Sequence, residues 1–172
     1  MAAVDMIQLL LFILPAYFAN AAPVIFGGGA PVDLGKKFSD RQRLLGPGKT
    51  WRGLFAGVSV GSLVGLLEAI ALGAPLIALQ GVLLSLGTML GDLLGSFIKR
   101  RLKQPPGHPS VFLDQLLFLF VALGLAYPVY SASNAPFKVS WEGAVFLIIL
   151  TYVAHASSNW LANKLGLKKV PW

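Results

Sequence analysis

The 172-residue chain has no cysteine. Disulfides, thiolate metal sites and cysteine nucleophiles are excluded together. Its two histidines, His108 and His155, are too few for a His-rich zinc centre. Charge is also scarce. Charged residues make up 12% of the chain, about half the share of a soluble domain. So little polar side chain cannot cover a soluble globule, which argues against a soluble enzyme. Acids are scarcest, with seven Asp and Glu against 14 Lys and Arg and a net charge of +7. Hydrophobic residues, by contrast, make up 56%. These absences predict an all-α integral membrane protein with a single domain over residues 1–172. No nucleic-acid partner is expected, and the sequence carries no signal for an oligomeric state.

A bilayer-spanning helix needs roughly 20 mostly apolar residues. Five stretches qualify: 4–28, 51–72, 75–98, 110–132 and 141–161. None alternates like a barrel strand. The first lacks a basic flank and carries Asp5, so it reads as a retained span despite the cleavage-like Ala19-Asn20-Ala21. Lys36, Lys37, Arg41, Arg43, Lys49 and Arg52 flank the connection between the first two spans. Lys99, Arg100, Arg101 and Lys103 follow the third, and Lys164, Lys168 and Lys169 follow the fifth. Five spans put all of these on one side and Lys138 alone on the other. The positive-inside rule then expects the N-terminus outside and the C-terminus in the cytoplasm. The polar loops, and hence the function of a multi-pass cell-membrane protein, would face the cytoplasm.

Small residues recur at a spacing of four in span two (Gly53, Gly57, Gly61, Gly65) and span three (Gly87, Gly91, Gly95). Such stripes let helix backbones approach closely in lipid. The expectation is that these two helices pack on each other and fix the residues at their ends.

Ionisable residues within spans mark candidate sites. Thr88, Asp92, Ser96 and Lys99 follow one helical stripe. Asp92 lies roughly 10 Å below Lys99, and Asp114 lies at a depth of about 7–8 Å on the next span. Basic loops lie above both acids, and the region around 99–103 reads as a wet, phosphate-binding loop. Two readings stay open. The acids are ion-paired struts, or they hold a hard cation whose shell is completed by substrate phosphates. Glu68 reads as an interfacial anchor near the outer face. Thr151, His155, Ser158 and Asn159 read as an interhelical hydrogen-bond set. Asn20 lies between Pro15 and Pro23, where a broken helix could line a cavity.

Gly46-Pro47-Gly48-Lys49-Thr50 invites a P-loop reading. The Walker pattern requires Gly where Arg43 stands, and no apolar strand precedes the run. The P-loop fold is rejected. The local physics survives, because Lys49 and Thr50 precede a helix N-terminus that favours phosphate.

Together these segments carry a resemblance. Gly48-Lys49-Thr50-Trp51-Arg52-Gly53, Gly91-Asp92-Leu93 through Ser96-Phe97-Ile98-Lys99-Arg100-Arg101, and Leu113-Asp114-Gln115 resemble the archaeal CDP-archaeol synthases. Asn20-Ala21-Ala22-Pro23 fits the same family. That family is similar to the phosphatidate cytidylyltransferases, whose Ser-x-x-Lys-Arg is matched at Ser96, Lys99 and Arg100. The chain departs from their second motif, reading Asp114-Gln115-Leu116-Leu117, and has Pro105-Pro106 in place of their Lys-Asp pair.

The resemblance implies a cytidylyltransferase that joins CTP to an isoprenoid ether-lipid phosphate, with Mg²⁺ as cofactor. It implies Asp92 and Asp114 as metal carboxylates, acting with Lys99 and Arg100. Lys49, Thr50, Arg52, Ser96, Arg101, Asn20 and Gln115 would contact CTP or phosphate. Two other classes remain: a small transporter or channel with a cytoplasmic anion or metal site, and a structural lipid-binding protein.

Overall fold

A computed structural model describes residues 3–105, 108, 110–132 and 141–167. Lys138, Lys168 and Lys169 lie outside the described residues. Five helices are long and apolar enough to cross a membrane. They are α1 (Ala3–Phe26), α2 (Trp51–Leu72), α3 (Leu76–Arg101), α4 (Leu117–Ala132, entered through a π-helical turn at Val111–Leu116) and α5 (Trp141–Lys164). No strand occurs among the described residues, only two isolated bridges within the α1–α2 loop.

Three boundaries differ from expectation for physical reasons. The prolines do not break α1, which runs through Pro15 and Pro23. Both positions lie against glycines of α2, with Gly61 beside the Pro15 carbonyl and Gly53 beside the Pro23 ring. Close packing thus supports the helix where its own ladder is weakened. Helix α3 continues past residue 98, so Lys99, Arg100 and Arg101 form its last turn. Their cations there face the negative end of the helix dipole. The fourth span starts as a π turn rather than an α-helix.

The bundle is ordered by which helix meets which glycine. α2 places Gly57 and Gly61 against Ala19 and Pro15 of α1, and Gly65 against Gly81 of α3. The α3 stripe does not face α2. Gly87, Gly91 and Gly95 lie against Ala122, Phe118 and Leu113 of the fourth span. The expected pairing of the two stripes is therefore corrected: α3 packs on α2 with one face and on α4 with its glycine face. This makes α3 the central helix, because its small residues allow neighbours on both sides. The core joins Ile13 and Ala16 of α1, Leu84 of α3, Phe118, Leu119 and Ala122 of α4, and Leu147 of α5.

A Cβ at Gly91 would lie 2.5 Å from Phe118 Cα, whereas one at Gly124 would meet nothing within 4 Å. Gly91→Leu is therefore expected to destabilise the bundle by about 1–3 kcal/mol or more, and Gly124→Leu to be near neutral. Thermal melting in detergent separates the two, and equal melting of both variants would contradict this packing.

One end of the bundle collects the α1–α2 loop, the C-terminus of α3 and the start of the fourth span; we call it the basic end. The other end carries the short α2–α3 connection, where Gly73 caps α2 in the left-handed region (φ 63°). Glu68 sits toward that end. It is not a surface anchor: it turns into a cavity with Gln80, and its Oε1 has no hydrogen-bond partner.

Candidate active site

At the basic end, α3 carries Asp92 and Lys99 two turns apart on one face. Each is joined to a neighbouring segment by an ion pair. Lys49, just ahead of α2, donates to both Asp92 oxygens at 2.7 Å. Lys99 donates to Asp114 Oδ1 and Oδ2 at 2.8 and 2.9 Å, and to the His108 carbonyl at 2.7 Å. Asp114 also accepts from the Ser110 N–H at 2.9 Å, and its own N–H donates to the Ser110 carbonyl at 2.8 Å. That reciprocal contact anchors the π turn and holds the carboxylate toward α3.

The two pairs differ in access. The Lys49 and Asp92 side chains are 29% and 31% exposed. The Lys99 side chain is only 10% exposed. Arg100 is buried too, and its Nη2 donates to the Pro105 carbonyl at 3.2 Å. The expectation of a wet basic loop over 99–103 is corrected in part: Lys99 and Arg100 belong to a packed helix end, while Leu102 and Lys103 form an exposed turn beyond it. A cavity of about 40 Å³ beside Lys49 and Asp92 is lined by Gly48, Thr50, Gly53 and Met89. It has room for about one water and none for a nucleotide.

Other candidate residues have different partners. Thr50 caps α2, its hydroxyl accepting from the Gly53 N–H at 3.2 Å. Arg52 is exposed, and Ser96 is half-buried between Asp92 and Lys99 on α3. Gln115 is half-buried, with Oε1 unpartnered. Arg101 turns away from the carboxylates. Its guanidinium lies over Phe38 and Phe97, pairs with Asp40 and donates to the Arg43 carbonyl at 2.6 Å. It fastens the α1–α2 loop to α3.

Asn20 faces α5, 3.4 Å from His155 Nδ1. Tyr17 and Thr151 share a hydrogen bond at 2.7 Å in the same interface. The Thr151 hydroxyl donates to the Leu147 carbonyl, so Tyr17 is the donor. Thr151 and His155 thus make the expected interhelical contacts. The Ser158 hydroxyl instead donates locally, to the His155 carbonyl.

Sequence reasoning missed Asp33, because an acid in a loop carries no periodic signal. Its side chain is fully buried, pairs with Arg43, and accepts from the Gly35, Leu45 and Gly46 N–H groups at 3.0–3.1 Å. Burial alone would raise its pKa. The Arg43 bond and the three N–H bonds outweigh that and hold the carboxyl well below the usual carboxylate range. Beside this knot, the Val32 N–H donates to the Lys49 carbonyl at 2.7 Å and the Trp51 N–H to the Ala30 carbonyl at 3.1 Å. Asp33 therefore sets the path of the backbone that carries Lys49.

A depressed pKa contributes stability above the ordinary carboxyl value of about 4, lost as pH falls further. At neutral pH the knot is whole. Asp33→Ala is expected to loosen residues 30–50 by about 2–3 kcal/mol while the helices stay folded. Hydrogen exchange at the Leu45 and Gly46 amides reads this directly, and unchanged protection there would remove the role.

The geometry is a helical membrane bundle with two Lys–Asp pairs on one central helix face. A family model described as CarS-like, CDP-archaeol synthase, matches residues 3–172. The chain belongs to the CDP-archaeol synthase family. The CDP-archaeol synthase of Pyrococcus horikoshii is 48% identical over 98% of this chain and 98% of its own. That of Thermococcus gammatolerans is 50% identical over 98% and 97%. A solved structure, described as giving structural insight into an intramembrane enzyme for archaeal membrane lipids biosynthesis, superposes with a TM-score of 0.80. It shares 38% identity and covers 90% of this chain and 94% of that one. Membership supports a multi-pass membrane enzyme of archaeal lipid synthesis, a cytidylyltransferase, and sets the transporter reading aside. The Lys49, Asp92, Lys99 and Asp114 pairs lie in the segments that first suggested CDP-archaeol synthase.

Proposed function

We propose that the two Lys–Asp pairs are the catalytic centre for cytidylyl transfer from CTP to an isoprenoid ether-lipid phosphate, and that this centre faces the cytoplasm. The observation that carries the reading is the convergence of Lys49–Asp92 and Lys99–Asp114 on one face of α3. In the reaction a phosphate oxygen of the lipid attacks the α-phosphorus of CTP. A P–O bond forms there, the bond to the β-phosphate oxygen breaks, and pyrophosphate leaves. The attacking oxygen is already anionic at neutral pH, so no strong base is needed.

The chain's task is to bring two anions together. Lys49 is the accessible cation, half-open to solvent and next to the α2 N-terminus. It exchanges its carboxylate partner for the CTP phosphates, which releases Asp92. Lys99 and Arg100 supply buried positive charge behind the site, where it acts in a lower dielectric. Among the described residues no three acidic or His groups gather to hold a metal unaided. Mg²⁺ does not require that, since it takes one or two carboxylates and keeps water and phosphate oxygens. Asp92 and Asp114, with side chains 31% and 36% exposed, fit that donor set. When bound, Mg²⁺ would neutralise phosphate charge and stabilise the leaving pyrophosphate.

The test is purified protein with labelled CTP, Mg²⁺ and the ether-lipid phosphate, followed by product mass. The expected product carries one CMP unit, with pyrophosphate released in equal amount. Orientation is read by cysteine labelling in cells, which is clean in a cysteine-free chain. Position 40 should label from the cytoplasmic side only, and labelling from outside would overturn the facing.

A further inference from the structure

One polar cluster takes no part in the proposed chemistry. Glu68 of α2 and Gln80 of α3 line a small cavity together with Leu11 and Pro15 of α1. It lies at the end away from the ion pairs, with Gln80 roughly 18 Å along α3 from Asp92. Gln80 is only 4% exposed, yet its Nε2 has no hydrogen-bond partner. Glu68 Oε1 is buried and equally unpartnered. Burying a polar group without a partner is costly, so two of them facing one cavity call for a third party.

Helix α1 adds another unsatisfied group. Pro15 has no N–H, so the Leu11 carbonyl four residues earlier loses its helical donor. Leu11 and Pro15 both border the cavity. The helices cannot remove the space by moving together. A Cβ at Gly65 would lie 2.6 Å from Gly81 Cα, so α2 and α3 are already in backbone contact beside it. Gln80 adjoins Gly81, and Glu68 lies one turn beyond Gly65.

We propose that this cavity binds a single water, which ties α1, α2 and α3 together at the end of the bundle opposite the ion pairs. Size and chemistry both select this ligand. The space is about 10 Å³, enough for one water and nothing larger. A water donates to Glu68 Oε1 and to the Leu11 carbonyl, and accepts from Gln80 Nε2. Three such bonds are the usual complement of a buried water. A metal cation does not suit the site, because Glu68 is the only charged group in the lining and Gln80 presents an N–H. The water also replaces the bond that Pro15 removes, which helps α1 to run through that proline.

The direct test is a high-resolution crystal structure of the wild-type protein. One solvent peak is expected about 2.7–3.2 Å from both Glu68 Oε1 and Gln80 Nε2. A dry cavity, or a direct Glu68–Gln80 hydrogen bond across it, would overturn the proposal. Melting in detergent gives an independent readout. Glu68→Leu and Gln80→Leu should each lower the midpoint by about 2–8 °C. The double variant should melt no lower than the less stable single one, since both lose the same water. Shifts that simply add would show that the two side chains share no ligand. Glu68→Gln keeps an accepting oxygen and should melt within about 2 °C of wild type. Exchanging Na⁺ for K⁺ or choline should leave the wild-type melt unmoved, and a cation-specific shift would make the occupant a cation instead. Should the leucine variants fail to fold, the wild-type crystal structure and the cation exchange still decide.

Discussion

Asp92→Asn and Asp114→Asn are each expected to cut turnover about a hundred- to thousandfold, the scale of losing a group that stabilises transition-state charge. Asn keeps the shape of Asp and removes the charge that a hard cation needs. The cost in folding should be smaller. Asp92→Asn strands Lys49, which is accessible and screened by water, so about 1 kcal/mol is expected; Asp114→Asn strands the buried Lys99, which keeps the His108 carbonyl, and should cost about 2–3 kcal/mol. Melting and Mg²⁺-dependent transfer should be measured on the same detergent samples. A variant that melts early yet turns over at the wild-type rate per folded molecule would make its acid a strut.

The second large effect contrasts two lysines of the same type and charge. Lys49→Ala should leave melting nearly unchanged and weaken CTP binding by about 1.5–3 kcal/mol, roughly ten- to 150-fold. Lys49 is accessible, and its removal leaves Asp92 in contact with water. Lys99→Ala should destabilise the protein as well as inactivate it. Lys99 is buried and ties Asp114 and the His108 carbonyl to α3. Stranding that carboxylate and carbonyl should cost about 2–4 kcal/mol, less than a fully buried pair because Asp114 keeps some solvent. Equal melting of the two variants, with equal CTP affinities, would contradict the division between an accessible and a buried cation.

The spans were legible because apolar length and charge alternation are properties of composition. Trp51–Leu72 falls at the predicted limits because Thr50 caps one end and Gly73 the other. The acids at 92 and 114 were legible because charge within a span is costly. Their partners were not, because a lysine's partner depends on which helices touch. That contact order was hidden by two glycine stripes of identical spacing, one lying between α1 and α3 and the other serving α4. Arg101 and Asn20 matched motifs by position, but packing turned Arg101 to the loop and Asn20 to α5. Asp33 had no sequence signal, since its partners are mostly backbone amides ordered by the fold itself.

The π turn at Val111–Leu116 gives the fourth span a property that its chemistry alone would not reveal. A π turn holds one more residue than an α turn over the same contact, so it works as a phase shifter in the helix. Asp114, Phe118 and Ala122 are spaced by four, so the carboxylate shares the stripe that seats Phe118 and Ala122 on the α3 glycines. The wide turn lies at the entry end of that stripe, where Lys99 takes up Asp114. A single deletion in this turn would leave composition, charge and hydropathy almost unchanged. It would still rotate either the carboxylate or the packing face off its partner. The segment is therefore a place where substitutions can be read one at a time, while a change in length acts on the catalytic end and the membrane core together.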